Sequence, residues 1–135
     1  MPCLVFDING LKAVNDTIGH AEGDKLIINS YKVIKSKFPG VDVYRIGGDE
    51  FVIFIEKHTA VIAEKLVAEF RTTMTRKLFN YGENSNEAIV SCGYALYDPE
   101  TDASCEDTFN RADRDMYEDK ERFYKASPYV KRRVY

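Results

Sequence analysis

The stretch "YRIGGDEFVIF", residues 44–54, decides the fold. It places two glycines and two acids between two apolar, β-prone runs. "VDVYRI" and "FVIFIEK" therefore read as strands, and "GGDE" as the hairpin turn between them. The acids Asp49 and Glu50 sit directly against an apolar strand, where a turn would ordinarily hand over to a solvated edge.

The rest of the chain is built outward from that hairpin. Upstream, "DKLIINSYKVIKSKF" starts at Asp24 and carries Leu26, Ile27, Tyr31, Ile34 and Phe38 at helical spacing, until Pro39-Gly40 stops it. Before it, "KAVNDTIGHAEGD" is polar and turn-rich, with one or two helical turns. The opening "PCLVFDI" is a short apolar run ending in an acid, which reads as a buried strand. Downstream, Thr59 caps a helix whose apolar stripe is Ile62, Leu66, Phe70 and Met74. "NYGENSNE" is a loop, and "AIVSCGYALYD" is a strand in which Gly93 marks a bulge. "PETDAS" is a second loop. "CEDTFNRADRDMYEDKERFYK" is a last helix with Phe109, Ala112, Met116 and Tyr117 inside, and "VKRRVY" is a solvated tail.

The order is β-α-β-β-α-β plus a terminal helix. It predicts one α+β domain over residues 1–135, a ferredoxin-like sandwich with helices on one face of a mixed sheet. In that topology the first strand is central and neighbours the third. Asp7, at the end of the first, then converges with Asp49 in the turn before the third. Either acid alone reads as a solvated tip or a strand-end cap. Together, beside Gly47 and Gly48, they can hold a hard divalent cation, with the carbonyl of Ile8 as a further ligand. The glycines let backbone approach a bulky ligand closely.

Composition narrows the function. At 135 residues and 44% hydrophobic, the chain can bury a core without disulfide or metal staples. A net charge of −3 provides no global basic field, so nucleic acid is not an expected partner. No run approaches the ~18 apolar residues of a membrane span, and the opening residues do not read as a signal peptide. The expected location is the cytoplasm, where Cys3, Cys92 and Cys105 remain reduced thiols. His20 and His58 lie too far apart in sequence to suggest a histidine-based metal site.

Three segments carry a resemblance. "RIGGDEF" (Arg45–Phe51), "FDINGLKAVNDTIGHAEGDKLI" (Phe6–Ile27) and "RADRDMYEDK" (Arg111–Lys120) occur in the order and spacing of the GGDEF domain, the catalytic domain of diguanylate cyclases. The chain resembles that family over nearly its whole length. The resemblance implies a palm-type sheet, as in nucleotide cyclases and polymerases, that condenses two GTP into cyclic di-GMP plus two pyrophosphates. It implies Mg²⁺ (Mn²⁺ as an alternative) on Asp7, the Ile8 carbonyl and Asp49. Glu50 is implied as a second catalytic acid beside Asp49. Asn15 and Asp24 are implied as guanine readers. Gly10, Leu11, Lys12 and Lys120 are implied at the phosphates, with Gly47 and Gly48 admitting the nucleotide. Catalysis in the family needs a homodimer, usually driven by a fused sensor or regulatory domain.

The chain departs from the family pattern at four places. Asn9 stands where many members carry a second Asp. Tyr124 stands at an expected phosphate arginine. "FPGV" (Phe38–Val41) replaces the RxxD of product-inhibited members. The sequence also opens at the first strand, as expected of an N-terminally truncated domain lacking the usual N-terminal helix. The first reading is an active cyclase domain. The alternative is a weak or inactive GGDEF module that binds GTP or docks a partner, which Tyr124 and the missing helix favour.

Overall fold

A computed structural model of the chain describes residues 2–55, 60–81 and 88–126. Along these the elements are β1 (Pro2–Ile8), α1 (Leu11–Thr17), α2 (His20–Lys37), β2 (Tyr44–Arg45), β3 (Glu50–Phe54), α3 (Ala60–Tyr81), β4 (Val90–Leu96) and α4 (Cys105–Ala126). The strands form one sheet in the order β2-β3-β1-β4. The first strand is thus central and adjoins the third, as the ferredoxin-like reading requires. All three pairings are antiparallel, so the sheet is not mixed. The Thr59 cap, the core of the "NYGENSNE" loop and the "VKRRVY" tail lie outside the described residues.

Every residue of β1 is buried, which needs cover on both faces. Leu4, Phe6 and Ile8 face a core built with Ile34 and Phe38 of the α2 end and Val67, Phe70 and Met74 of α3. At its centre Phe6 meets Phe38 and Phe70 edge-on, with centroids 5.7 and 5.3 Å apart. Cys3 and Val5 point the other way, onto Val52, Ala95, Ala112 and Met116. The helices therefore cover both faces, with α4 on the second, and the one-face expectation is corrected.

Three stripe residues shift outward. Tyr31, Ile62 and Tyr117 are 41%, 53% and 51% exposed, while Ala63 and Val67 take the inward positions of α3. Helix α2 begins at His20, capped by Gly19, so Asp24 lies one turn inside it rather than at its start. Gly93 is no bulge. It pairs in register with Val5, and a Cβ there would lie 2.1 Å from the Met116 nitrogen and 2.5 Å from the Ala112 oxygen. The glycine is where α4 backbone presses onto β4.

Candidate active site

The pairing of β1 with β3 builds the site. Asp7 lies opposite Glu50 in the register, so both side chains leave the sheet on the α4 face. The Ile8 amide donates to the Asp49 carbonyl at 2.9 Å, tying the turn to the end of β1. One carboxylate oxygen each from Asp7, Asp49 and Glu50 then lies within 4.8 Å of the others. That spacing accommodates a single hard cation about 2.0–2.4 Å from each oxygen.

The electrostatics fit such an ion. Asp7 is only 3% exposed, and its Oδ1 is buried with no hydrogen-bond partner. Its Oδ2 pairs with Lys120 Nζ at 3.1 Å, and Lys120 itself is only 4% exposed. Burial pushes the Asp7 carboxyl up to about 7, Lys120 pulls it down, and Asp49 adds to the rise. Burial, followed by the neighbouring Asp113 carboxyl, raises Glu50 to about 7. A divalent cation would relieve both groups, since it favours their ionised forms.

The residues that the resemblance implies at the nucleotide fall on α1, α2, α4 and the adjoining turns. Gly10 has φ 80° and caps α1, a left-handed conformation that turns the chain sharply out of β1. Leu11 is buried in the core, and Lys12 is exposed on the first turn of α1. Asn15 packs its amide on Gly23, where a Cβ would come within 1.7 Å of Asn15 Oδ1. Asp24, the residue after Gly23 on α2, is exposed. Gly47 and Gly48 are exposed at the hairpin tip. Lys120 lies buried against Asp7, so it is no solvated helix lysine.

Four residues join the site that sequence reasoning left without a role. Arg45 donates from Nε to the Gly47 carbonyl (3.1 Å) and from Nη2 to the Gly48 carbonyl (2.8 Å), fixing the tip. Gly23 makes room for Asn15. Asp113 and Tyr117 of α4 border the acids: Tyr117 is raised by burial and then by Asp113, Glu50, Asp7 and Asp49. The only sequence signal for these was their place inside the three quoted segments. The departures also find structural accounts. Asn9 exchanges hydrogen bonds with Ser91 at 3.0 and 3.3 Å, joining the ends of β1 and β4. The Tyr124 ring packs edge-on against Phe123, with centroids 5.2 Å apart.

A family model described as "Diguanylate cyclase, GGDEF domain" matches residues 1–125. Among curated proteins, the chain is 31% identical over 119 residues to diguanylate cyclase A of Treponema denticola, covering 87% of this chain and 32% of that protein. It is 35% identical over 123 residues to the bifunctional diguanylate cyclase/cyclic di-GMP phosphodiesterase MucR of Pseudomonas aeruginosa, covering 87% of this chain and 17% of that protein. The chain thus spans a third or less of the length of these relatives. Among solved structures, the GGDEF domain of DgcB from Caulobacter crescentus in complex with c-di-GMP superposes with a TM-score of 0.67 at 30% identity, over 89% of this chain and 72% of that one. The active GGEEF domain of a Vibrio cholerae diguanylate cyclase gives 0.69 at 26% identity, over 90% and 76%.

Proposed function

The chain belongs to the GGDEF diguanylate cyclase domain family, and on that premise we propose that it condenses two GTP molecules into cyclic di-GMP, with Mg²⁺ as cofactor, across a homodimer. The observation that supports this most is the triple carboxylate of Asp7, Asp49 and Glu50 beside an orphaned, buried Asp7 oxygen.

Asp7, Asp49 and the Ile8 carbonyl would hold the ion. When bound, it supplies charge neutralisation at the α-phosphate and leaving pyrophosphate, and lowers the pKa of the ribose 3′-OH. The chain's own residues do the rest. Asp24 accepts from the N1–H and N2–H donors of guanine, and Asn15 adds an amide to the same edge. Backbone at Gly10 and Leu11, with the Lys12 and Lys120 ammonium groups, holds phosphate oxygens. The 3′-oxygen of one GTP attacks the α-phosphorus of the other, a P–O bond forms, and the bond to pyrophosphate breaks. The 3′ proton needs an acceptor, and the Glu50 carboxylate, which the cation would hold in its ionised form, suits that task. The second half-reaction repeats this with the roles exchanged. Each chain offers one such site, so two must face each other, and a fused sensor or regulatory domain would control that encounter.

The test uses the chain alone and as an enforced dimer on a fused leucine zipper, with Mg²⁺ and GTP, reading cyclic di-GMP by chromatography. The dimer should make product, and Asp49→Ala should abolish it with the circular dichroism unchanged. GTP binding without product in either form would favour a nucleotide-binding regulatory module. Absence of both binding and product would sink the reading.

A further inference from the structure

Helix α4 is locked to β4 by side chains rather than by strand pairing. β4 is an edge strand, and its outward amides need partners. The Cys92 amide donates to Asp119 Oδ2 at 3.0 Å, and the Tyr94 amide donates to Asp115 Oδ2 at 3.0 Å. Residues 115 and 119 are one helical turn apart, and residues 92 and 94 are one strand repeat apart. The two spacings nearly match, so helix and strand mesh tooth by tooth. Arg71, on α3, completes the lock. Its Nε and Nη2 donate to the Cys92 carbonyl at 3.0 and 2.8 Å, and Nη2 also reaches Asp115 Oδ2 at 2.9 Å. Asp119 Oδ1 stands 3.6 Å from Arg71 Nε. Two nitrogens of one guanidinium, Nε and Nη2, thus fasten two carboxylates and a strand carbonyl together.

Lys120 is the residue after Asp119. It leaves α4 a further ~100° round the helix, toward β1, where it meets Asp7. Ser91, the neighbour of Cys92, lies opposite Asp7 in the register. The tooth that seats Asp119 on Cys92 therefore sets Lys120 on Asp7. Slipping α4 by one residue would break both amide contacts and carry the ammonium off the carboxylate.

From this geometry we infer that Arg71, Asp115 and Asp119 are positioning residues: a register clamp that delivers Lys120 to the acid cluster. The inference rests on the cyclase reading only for its kinetic arm. None of the three touches the acids. They act through α4, and a misplacement of about 1 Å at a reacting centre can cost up to ~100-fold in rate.

The experiment compares wild type with Arg71→Met, Arg71→Lys, Asp115→Ala and Asp119→Ala in the zipper dimer. Three quantities are read: hydrogen exchange at the Cys92 and Tyr94 amides, the ¹H–¹⁵N resonance of the Lys120 ammonium, and kcat beside the GTP dissociation constant in Ca²⁺. Arg71→Met and Asp119→Ala should speed exchange and broaden the ammonium signal. They should lower kcat roughly 10–100-fold, with a smaller change in GTP binding, because Asn15 and Asp24 lie on α1 and α2. Arg71→Lys should recover part of each loss. A merely structural role would weaken binding and rate alike and leave the ammonium signal sharp in the folded fraction. Faster amide exchange with an unchanged Lys120 signal and unchanged kcat overturns the inference. Should Arg71→Met not fold, the milder Asp115→Ala decides by the same readings. Should wild type make no cyclic di-GMP, the functional reading fails, while the exchange and ammonium signals still judge the clamp.

Discussion

Gly93→Ala places a methyl group where α4 leaves no room. The added Cβ would meet the Met116 nitrogen at 2.1 Å, the Ala112 oxygen at 2.5 Å and the Met116 Cα at 2.6 Å. All three are backbone atoms, so no rotamer change relieves the clash. To restore ordinary contact, α4 must back away by more than about 1 Å across a close-packed interface. Overpacking of this kind costs about 1–3 kcal/mol, and the backbone identity of the neighbours argues for the upper end. For a domain of this size that corresponds to a fall in Tm of roughly 5–10 °C. The same retreat would stretch the 3.1 Å contact between Lys120 and Asp7 beyond ion-pair range, so activity should drop more than the folded fraction does. The assay is urea unfolding followed by circular dichroism, paired with the cyclic di-GMP rate well below the unfolding midpoint. Gly48→Ala is the stability control: its Cβ meets nothing within 4 Å, and it should shift stability by less than about 0.5 kcal/mol. Gly93→Ala with wild-type stability would refute the close approach of α4, and with it the account of why this strand carries a glycine.

Gly23→Ala should be nearly neutral for folding, because the atom it meets is the flexible Asn15 amide, but it should swing that amide away and reduce discrimination of GTP over ATP; titration of both nucleotides in Ca²⁺ checks it, and unchanged selectivity contradicts it. Without metal, the Asp7 carboxyl sits near 7 in the fold against a usual 3.8, and Glu50 near 7 against 4.5. The native state therefore holds protons that the unfolded chain has released. The contribution of these groups is greatest below pH 4 and falls as pH rises toward 7, by at most about 1.4 kcal/mol per unit for each proton. Melts in chelator between pH 5 and 8 should show Tm falling over that window, and the Tm gain from Mg²⁺ growing; a metal-free Tm that rises with pH contradicts the assignment. Micromolar cyclic di-GMP should not inhibit at saturating GTP, since Phe38 is spent in the aromatic core; inhibition that persists there and survives Asp24→Ala would reveal a separate product site.

Local pattern was enough for the skeleton of the site. The apolar run "PCLVFDI" has the bounds of β1, and Gly-Gly between two β-prone runs gives the β2–β3 hairpin. Once the topology is ferredoxin-like, Asp7 must meet the acids of that hairpin, because strand adjacency alone brings them together. The faces and the partners were not local. The apolar run that leads β1 up to Asp7 demands cover on both sides, but nothing in its letters says that α4 supplies one cover and α2 with α3 the other. Tyr117 and Lys120 sit on one amphipathic helix, yet the apolar ring is half exposed beside the acids and the charged residue is buried. Burial there is set by Asp7, 113 positions away, whose desolvated carboxylate requires a counter-charge. Gly93 likewise reads as a bulge from its own strand, while its cause is the backbone of a helix some twenty residues later. Periodicity reports which residues share a face. What that face meets depends on packing between distant segments, and only the tertiary structure brings those segments into contact.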